Sequence, residues 1–208
     1  MGAGFGGHGD MAIGRDIYDA FPRYPFVPPP ELSGEGATAP VTPVPVAIVG
    51  GGPIGLTLAL GLACHGVRSV VLEPRDSASV GSRATCTSRR SLEIWERFGA
   101  AEAALAMGLA WTGGSSFWHD HTVFSLAMHD DADQKHPPMI NIQQCFAEQF
   151  LIDAAARHPE IDVRWCSTVT DVRQDADGTA ATVQSDAGTY DLHADWLVAC
   201  DGAHSMVR

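Results

Sequence analysis

The chain has 208 residues, 45% hydrophobic and 18% charged, enough for one globular domain with a buried core and against disorder throughout. Thirteen basic against 25 acidic side chains give a formal charge of −12, which argues against nucleic acid or an anionic membrane surface as the main partner. Any anionic ligand must then be held by local groups such as backbone amides and a few arginines.

Residues 1–44 hold Pro22, Pro25, Pro28, Pro29, Pro30, Pro40 and Pro43 with many glycines and no sustained periodicity. This predicts a Pro/Gly-rich arm with a disordered tip, anchored on the body by Tyr18, Phe21, Tyr24 and Phe26. The regular body is expected over 45–208. Val46–Val49 is a short apolar run ending in glycines, as in a buried parallel strand. Pro53 to His65 predicts a helix with proline in its first turn and Gly66 as its stop. Val67–Leu72 is a second strand, so the three elements form a right-handed strand–helix–strand unit.

A second helix is expected over Ser88–Phe98, with Leu92 and Trp95 on one side and Glu93 and Arg97 on another. Residues 110–128 predict one or two strands of a neighbouring sheet, within an inserted antiparallel element at about 108–142. Gln144 to Arg157 predicts a helix whose Ala147, Phe150, Leu151 and Ala154 form a buried stripe. Short strands follow at Ile161–Trp165, Thr168–Arg173, Ala180–Gln184, Thr189–Leu192 after an Asp186–Gly188 turn, and Trp196–Ala199. The fold class is α/β: a Rossmann-like unit with an antiparallel insertion.

Gly50, Gly51, Gly52, Pro53, Ile54 and Gly55 match G-x-G-x-x-G in the required context of strand, turn and helix. The first glycine permits the tight turn, the second lets backbone approach a pyrophosphate, and the third lets helix and strand pack closely. Gly55, Ala59 and Ala63 extend that close packing along the helix. Phosphates would lie at the helix N-terminus, against free N–H groups and the positive dipole end. Glu73 ends the second strand, 23 residues after Gly50, where an acid accepts hydrogen bonds from ribose hydroxyls and disfavours a 2′-phosphate. Arg75, two residues on, is a further contact candidate. Gly2, Gly4 and Gly7 repeat the letters without a strand before or a helix after, and are read as composition.

Other constellations carry less. Cys64, Cys86, Cys145, Cys166 and Cys200 are odd in number, scattered and never Cys-x-x-Cys, as in a reduced, cytoplasmic protein. No apolar run approaches the roughly 20 residues that span a bilayer, and Met1–Asp10 lack the layout of a secretory signal. His119 and His121 invite a metal, but spacing fixes no third ligand and an exposed turn is expected. Asp201, His204 and Ser205 form no nucleophile elbow.

Three further segments, in order along the chain, carry a family resemblance. Ser82-Arg83-Ala84 with Arg90-Ser-Leu-Glu93, Ile142-Gln-Gln144-Cys-Phe-Ala-Glu148 with Leu151, and Asp201-Gly-Ala-His204 up to Arg208 resemble segments of FAD-dependent aromatic-ring monooxygenases. These are the para-hydroxybenzoate hydroxylase-like enzymes, with closest likeness to the 3-(3-hydroxyphenyl)propionate hydroxylase and chlorophenol monooxygenase types. The resemblance covers 44–208. It implies a glutathione-reductase-like FAD-binding fold, with Arg83 against the flavin, Gln144 and Asp201 contacting FAD, and Val169 offering backbone contact near the adenine. His204 and Arg208 resemble positions that touch the nicotinamide cofactor, with surface roles equally open. Arg90 is expected to pair with a nearby acid.

The resemblance also implies the reaction: NAD(P)H reduces FAD, and a flavin C4a-hydroperoxide formed with O2 hydroxylates a phenolic aromatic substrate. The chain stops at Arg208, where such enzymes continue through the substrate-covering sheet to a Gly-Asp motif, so an N-terminal portion is expected and no catalytic residue is assigned. The partners expected are a missing C-terminal half or a second copy in a homodimer, beside the small aromatic substrate and O2. Two readings stay beside this one: a non-catalytic FAD- or nucleotide-binding fragment, and an NAD-dependent Rossmann dehydrogenase.

Overall fold

A computed structural model describes residues 21–32, 42–80, 84–176 and 178–208. The glycines near the N-terminus, Tyr18, Pro40, Ser82 and Arg83 lie outside the described residues. β1 (Val44–Val49) leads through the glycine turn into α1 (Pro53–Ala63) and β2 (Ser69–Leu72). Then come β3 (Cys86–Ser88), α2 (Arg89–Glu96), α3 (Ala101–Met107), β4 (Leu109–Trp111), β5 (Gly113–Trp118), β6 (His121–Ala127) and β7 (Met139–Asn141). α4 (Gln144–Ala155), β8 (Ile161–Arg164), β9 (Thr168–Asp175), β10 (Gly178–Ser185) and β11 (Gly188–Ala199) complete the order.

The main sheet runs β8-β2-β1-β11-β10-β9. β8, β2, β1 and the end of β11 are parallel, while β11, β10 and β9 form an antiparallel meander. The two-residue period of a strand divides its side chains between two cores. Val46, Ile48 and Val71 meet Ala59 of α1 on one face. Ala47, Val49, Val70 and Leu72 meet Val183 and Leu192 of the meander on the other. A third cluster joins Leu56 and Leu60 of α1 to Leu92 and Trp95 of α2 and Leu151 of α4.

Helix α1 has Pro53 in its first turn and ends as expected. Gly66 takes φ +70°, its N–H donates to the Ala63 carbonyl, and Val67 N–H donates to the Leu62 carbonyl. This is the left-handed helix stop for which glycine is suited. In α4 the buried surface is wider than the expected stripe: Cys145, Glu148, Gln149, Ile152 and Ala155 are also buried, and Phe150 is only half-buried.

Three expectations are corrected. The helix expected to Phe98 gives way at Gly99 (φ +71°), and a further helix, α3, follows over an alanine-rich run of good helix formers. Residues 110–128 contribute three strands rather than one or two. β4 joins β3 and β7 in a small antiparallel sheet, while β5 and β6 pair with each other as a two-stranded sheet among the described residues and are exposed throughout. The separate strands expected at 189–192 and 196–199 are one, β11. Tyr190, Leu192 and Ala194 face inward between Asp191, His193 and Asp195, and Ala194 is where pairing passes from Thr179 of β10 to Val44 of β1. No helix among the described residues is long and apolar enough to cross a membrane.

Candidate functional site

The glycine turn leaves the C-terminal end of β1 between its parallel neighbours β2 and β11, where an open α/β sheet forms its crevice. Three of its glycines are fixed by the protein itself. Gly50 has φ +104°, and a Cβ there would lie 2.5 Å from the Cys200 carbonyl oxygen. One on Gly55 would lie 2.0 Å from the Gly50 carbonyl oxygen, and one on Gly51 would press on the Glu73 side chain. Gly52 differs. A Cβ there meets nothing within 4 Å, so the room above it is open to a ligand. Gly52 is the N-cap of α1, whose first turn carries no acidic residue to neutralise its positive end.

Glu73 closes the turn from below. It is buried, with Oε2 accepting from Gly51 N–H (2.8 Å) and Oε1 accepting from the N–H (3.1 Å) and Nε (2.7 Å) of Arg75. Burial opposes the Arg75 charge, but the hydrogen bond and field of Glu73, helped by Glu148, outweigh it and hold the guanidinium above its ordinary pKa. The expected ribose acceptor is thus already tied to the turn and to Arg75. A carboxylate offers about four lone-pair positions, so three bonds leave capacity for a hydroxyl donor.

A cleft of about 480 Å³ runs from this turn along the C-terminal ends of the strands. Gly50, Gly52, Pro53 and Ile54 form its head, and Glu73 and Arg75 one wall. Gln144, Val169 and Asp201 reach it from α4, β9 and the segment after β11, although the three lie far apart in sequence. The Val169 side chain belongs to the core, so what it offers the cleft is backbone. Gly51 and Gly55 do not line the cleft; they shape the turn from within. Arg83 lies outside the described residues.

Gln144 does not cap α4. It occupies the first turn, and its Nε2 donates to Glu148 Oε1 at 2.6 Å, while Glu148 Oε2 accepts from Ser79 N–H at 2.6 Å. Glu148 is buried on the cleft and was not assigned from sequence, although its i, i+4 spacing from Gln144 was the available signal. Asp201 Oδ2 accepts from the N–H groups of Met206 (2.8 Å) and Val207 (3.4 Å). Burial opposes its ionisation, but these bonds and that from Ser205 hold its carboxyl below the usual range. Burial, with Asp201 beside it, pushes the Cys200 thiol up, so this cleft cysteine stays protonated near neutrality.

Ser167 and Thr168 also line the cleft without a sequence signal, since the turn into β9 joins the site through the pairing of β2 with β8; Met206 lines it from within the Asp201–Arg208 segment. His204 lines it too; Arg208 is exposed and donates to the Ala203 carbonyl. Arg90 pairs with Glu93 at 2.9 Å on the exposed side of α2. His119 sits at φ +49° in the turn between β5 and β6, and His121 opens β6; both are exposed.

If the cleft holds a ribose at Glu73, Glu73→Ala should weaken cofactor binding by about 1.5–3 kcal/mol, the scale of a hydrogen bond to a charged group, which is on the order of 10- to 100-fold in Kd. A fluorescence titration with FAD reads this directly, and unchanged affinity would place the ribose elsewhere.

Comparison with known proteins identifies the family. The FAD binding domain family matches residues 43–208. The chain is 30% identical over 199 residues to the FAD-dependent monooxygenase apdD of Emericella nidulans, covering 86% of this chain and 32% of that protein. It is 28% identical to a 3-(3-hydroxy-phenyl)propionate/3-hydroxycinnamic acid hydroxylase of Mycolicibacterium smegmatis, covering 79% of this chain and 29% of the relative. The crystal structure of p-nitrophenol 4-monooxygenase PnpA from Pseudomonas putida DLL-E4 superposes with a TM-score of 0.71 at 28% identity, over 81% of this chain and 43% of that one. The chain spans about a third of the length of the curated relatives it matches. It belongs to the FAD binding domain family of FAD-dependent aromatic-ring monooxygenases.

Proposed function

We propose that the cleft holds FAD in an extended pose, with its pyrophosphate over Gly50, Gly51, Gly52, Pro53, Ile54 and Gly55 at the head of α1. The adenosine ribose is assigned to Glu73 and Arg75, the adenine to the backbone at Val169, and the flavin end to Gln144 and Asp201. Arg83 belongs to the same assignment through its motif. The observation that carries this reading is the open room over Gly52, at a helix N-terminus free of acids and beside the buried Glu73.

For the whole protein we propose NAD(P)H-dependent hydroxylation of a phenolic aromatic substrate with O2. Bound FAD would supply the redox chemistry. This chain's residues bind and orient it: α1 meets the phosphates, Glu73 sets the ribose, and Glu148 holds Gln144 toward the cleft. Substrate recognition is assigned to groups outside the cleft. A cytoplasmic location is part of the proposal, supported by five scattered free cysteines and a soluble reductant. So is the division into an arm over 1–44, a cofactor domain over 45–208, and a substrate-side insertion at about 108–142.

Phenol-stimulated NAD(P)H oxidation with a hydroxylated product, measured on the FAD-loaded protein, tests the activity. Bound FAD with no such turnover would instead favour a non-catalytic FAD- or nucleotide-binding role. NAD binding without FAD would favour the dehydrogenase and overturn both.

A further inference from the structure

Residues 21–32 precede the matched family region, which begins at residue 43, yet they are fastened to the wall of the cleft. Phe21 is buried against Phe146 of α4, with ring centroids 5.2 Å apart. The Tyr24 ring lies flat on Trp165, at 4.5 Å and 12° between planes. Its N–H donates to the Asp76 carbonyl at 2.6 Å, and its hydroxyl accepts from Gln149 Nε2 at 2.8 Å. Arg23 Nη1 donates to Asp76 Oδ1 at 2.8 Å, and Glu31 pairs with Arg164 at 3.0 Å.

Tyr24 therefore grips three pieces of chain at once, and each continues into the cleft. Asp76 follows Glu73 and Arg75, Trp165 precedes Ser167, Thr168 and Val169, and Gln149 follows Glu148 on α4. The first two pieces are joined by backbone bonds: Glu73 N–H to the Arg164 carbonyl, Ser167 N–H to the Glu73 carbonyl, and Cys166 N–H to the Arg75 carbonyl. Cys166 itself sits at φ +53°, a conformation disfavoured for a residue with a Cβ. A wall made of a short ladder and a strained corner is held from outside by the Tyr24 ring and main chain. The Arg23–Asp76 pair is about half exposed, so its share is small.

We propose that residues 21–32 are a strap on the cofactor site and that Tyr24 is its positioning residue, holding the Glu73–Asp76 and Trp165–Val169 segments in the register that receives the nucleotide. This rests on the FAD reading of the cleft. The stacked ring carries the effect, the hydroxyl bond adds to it, and Arg23 contributes least.

The test compares the full chain with Y24A, Y24L, Y24F and R23A variants by FAD titration, and by amide hydrogen exchange without added FAD. Y24A should weaken FAD binding about tenfold, the scale of a lost aromatic pair with its hydrogen bond. Y24L, which keeps apolar bulk but no ring, should follow it even if Y24A fails to fold. Y24F and R23A should stay within about threefold of the unsubstituted chain. Exchange at Cys166 and Ser167 should quicken in Y24A and Y24L while the β10–β11 ladder stays protected. Unchanged affinity in Y24L, or quickening spread evenly over that ladder, would overturn the strap. If the unsubstituted chain binds no FAD, the cofactor reading fails. The exchange pattern then decides the strap alone, selective quickening supporting it and uniform or absent quickening overturning it.

Discussion

Gly52→Val is expected to abolish FAD retention while leaving the domain folded. An added Cβ at this position meets no protein atom within 4 Å, and φ −76° with ψ −175° is backbone that any residue adopts. The cost to the protein is the poorer N-cap, about 1 kcal/mol, which lowers Tm by ~2–4 °C in a domain of this size. The cost to the ligand is larger. Branched carbons above the turn would lift a pyrophosphate off the amides at the head of α1. Two charge-assisted hydrogen bonds lost at about 1.5–3 kcal/mol each amount to a loss of roughly 100-fold or more in affinity. Spectral titration beside thermal melting separates the two, and a folded Gly52→Val chain that keeps FAD would refute the placement of the phosphates.

Gly55→Ala should act in the opposite order, on the fold first. Its Cβ would stand 2.0 Å from the Gly50 carbonyl oxygen and 3.2 Å from Ile48 Cγ2, so helix and strand must separate. Both contacts belong to buried structure that cannot swing aside, and overpacking of this kind costs about 3 kcal/mol, or ~6–12 °C in Tm. Urea and thermal unfolding would read that loss before any ligand is added. A Gly55→Ala chain as stable as its parent would mean that α1 does not approach β1 as closely as the structure has it.

The contrast between these two glycines shows what could be read in the sequence. The turn, α1, Gly66 and Glu73 were legible because strand, helix and stop are local patterns, each decided within about a dozen residues. What the turn faces was not. Cys200 closes over Gly50 across 150 residues, and nothing in either segment names the other. Gln144, Val169 and Asp201 entered through resemblance, and the parallel pairing of β1 with β11 is what brings Asp201 to the turn.

Other misses have local causes. His193 and Asp195 fall in the gap between the two expected strands, although polar residues alternating with Tyr190, Leu192 and Ala194 are the period-two signature of one half-buried strand. Glu148 is legible only as a motif residue spaced four positions from Gln144, and nothing local says that it is buried on the cleft. Its burial follows from α4 lying between layers and from the Ser79 N–H that meets it. Tyr24 was legible as an anchor. Its hold on Trp165 and Asp76 was not, since it depends on how β2 and β8 bring those segments together.

An FAD site built on Gly50–Gly55 and Glu73 is expected to hold the cofactor in the purified 208-residue chain, which is read by titration with FAD and by the flavin retained after desalting. The expected result is saturable binding of one FAD per chain, a yellow protein, and loss of that binding in Gly52→Val with the fold intact. A folded chain that stays colourless and leaves FAD fluorescence unchanged would contradict it.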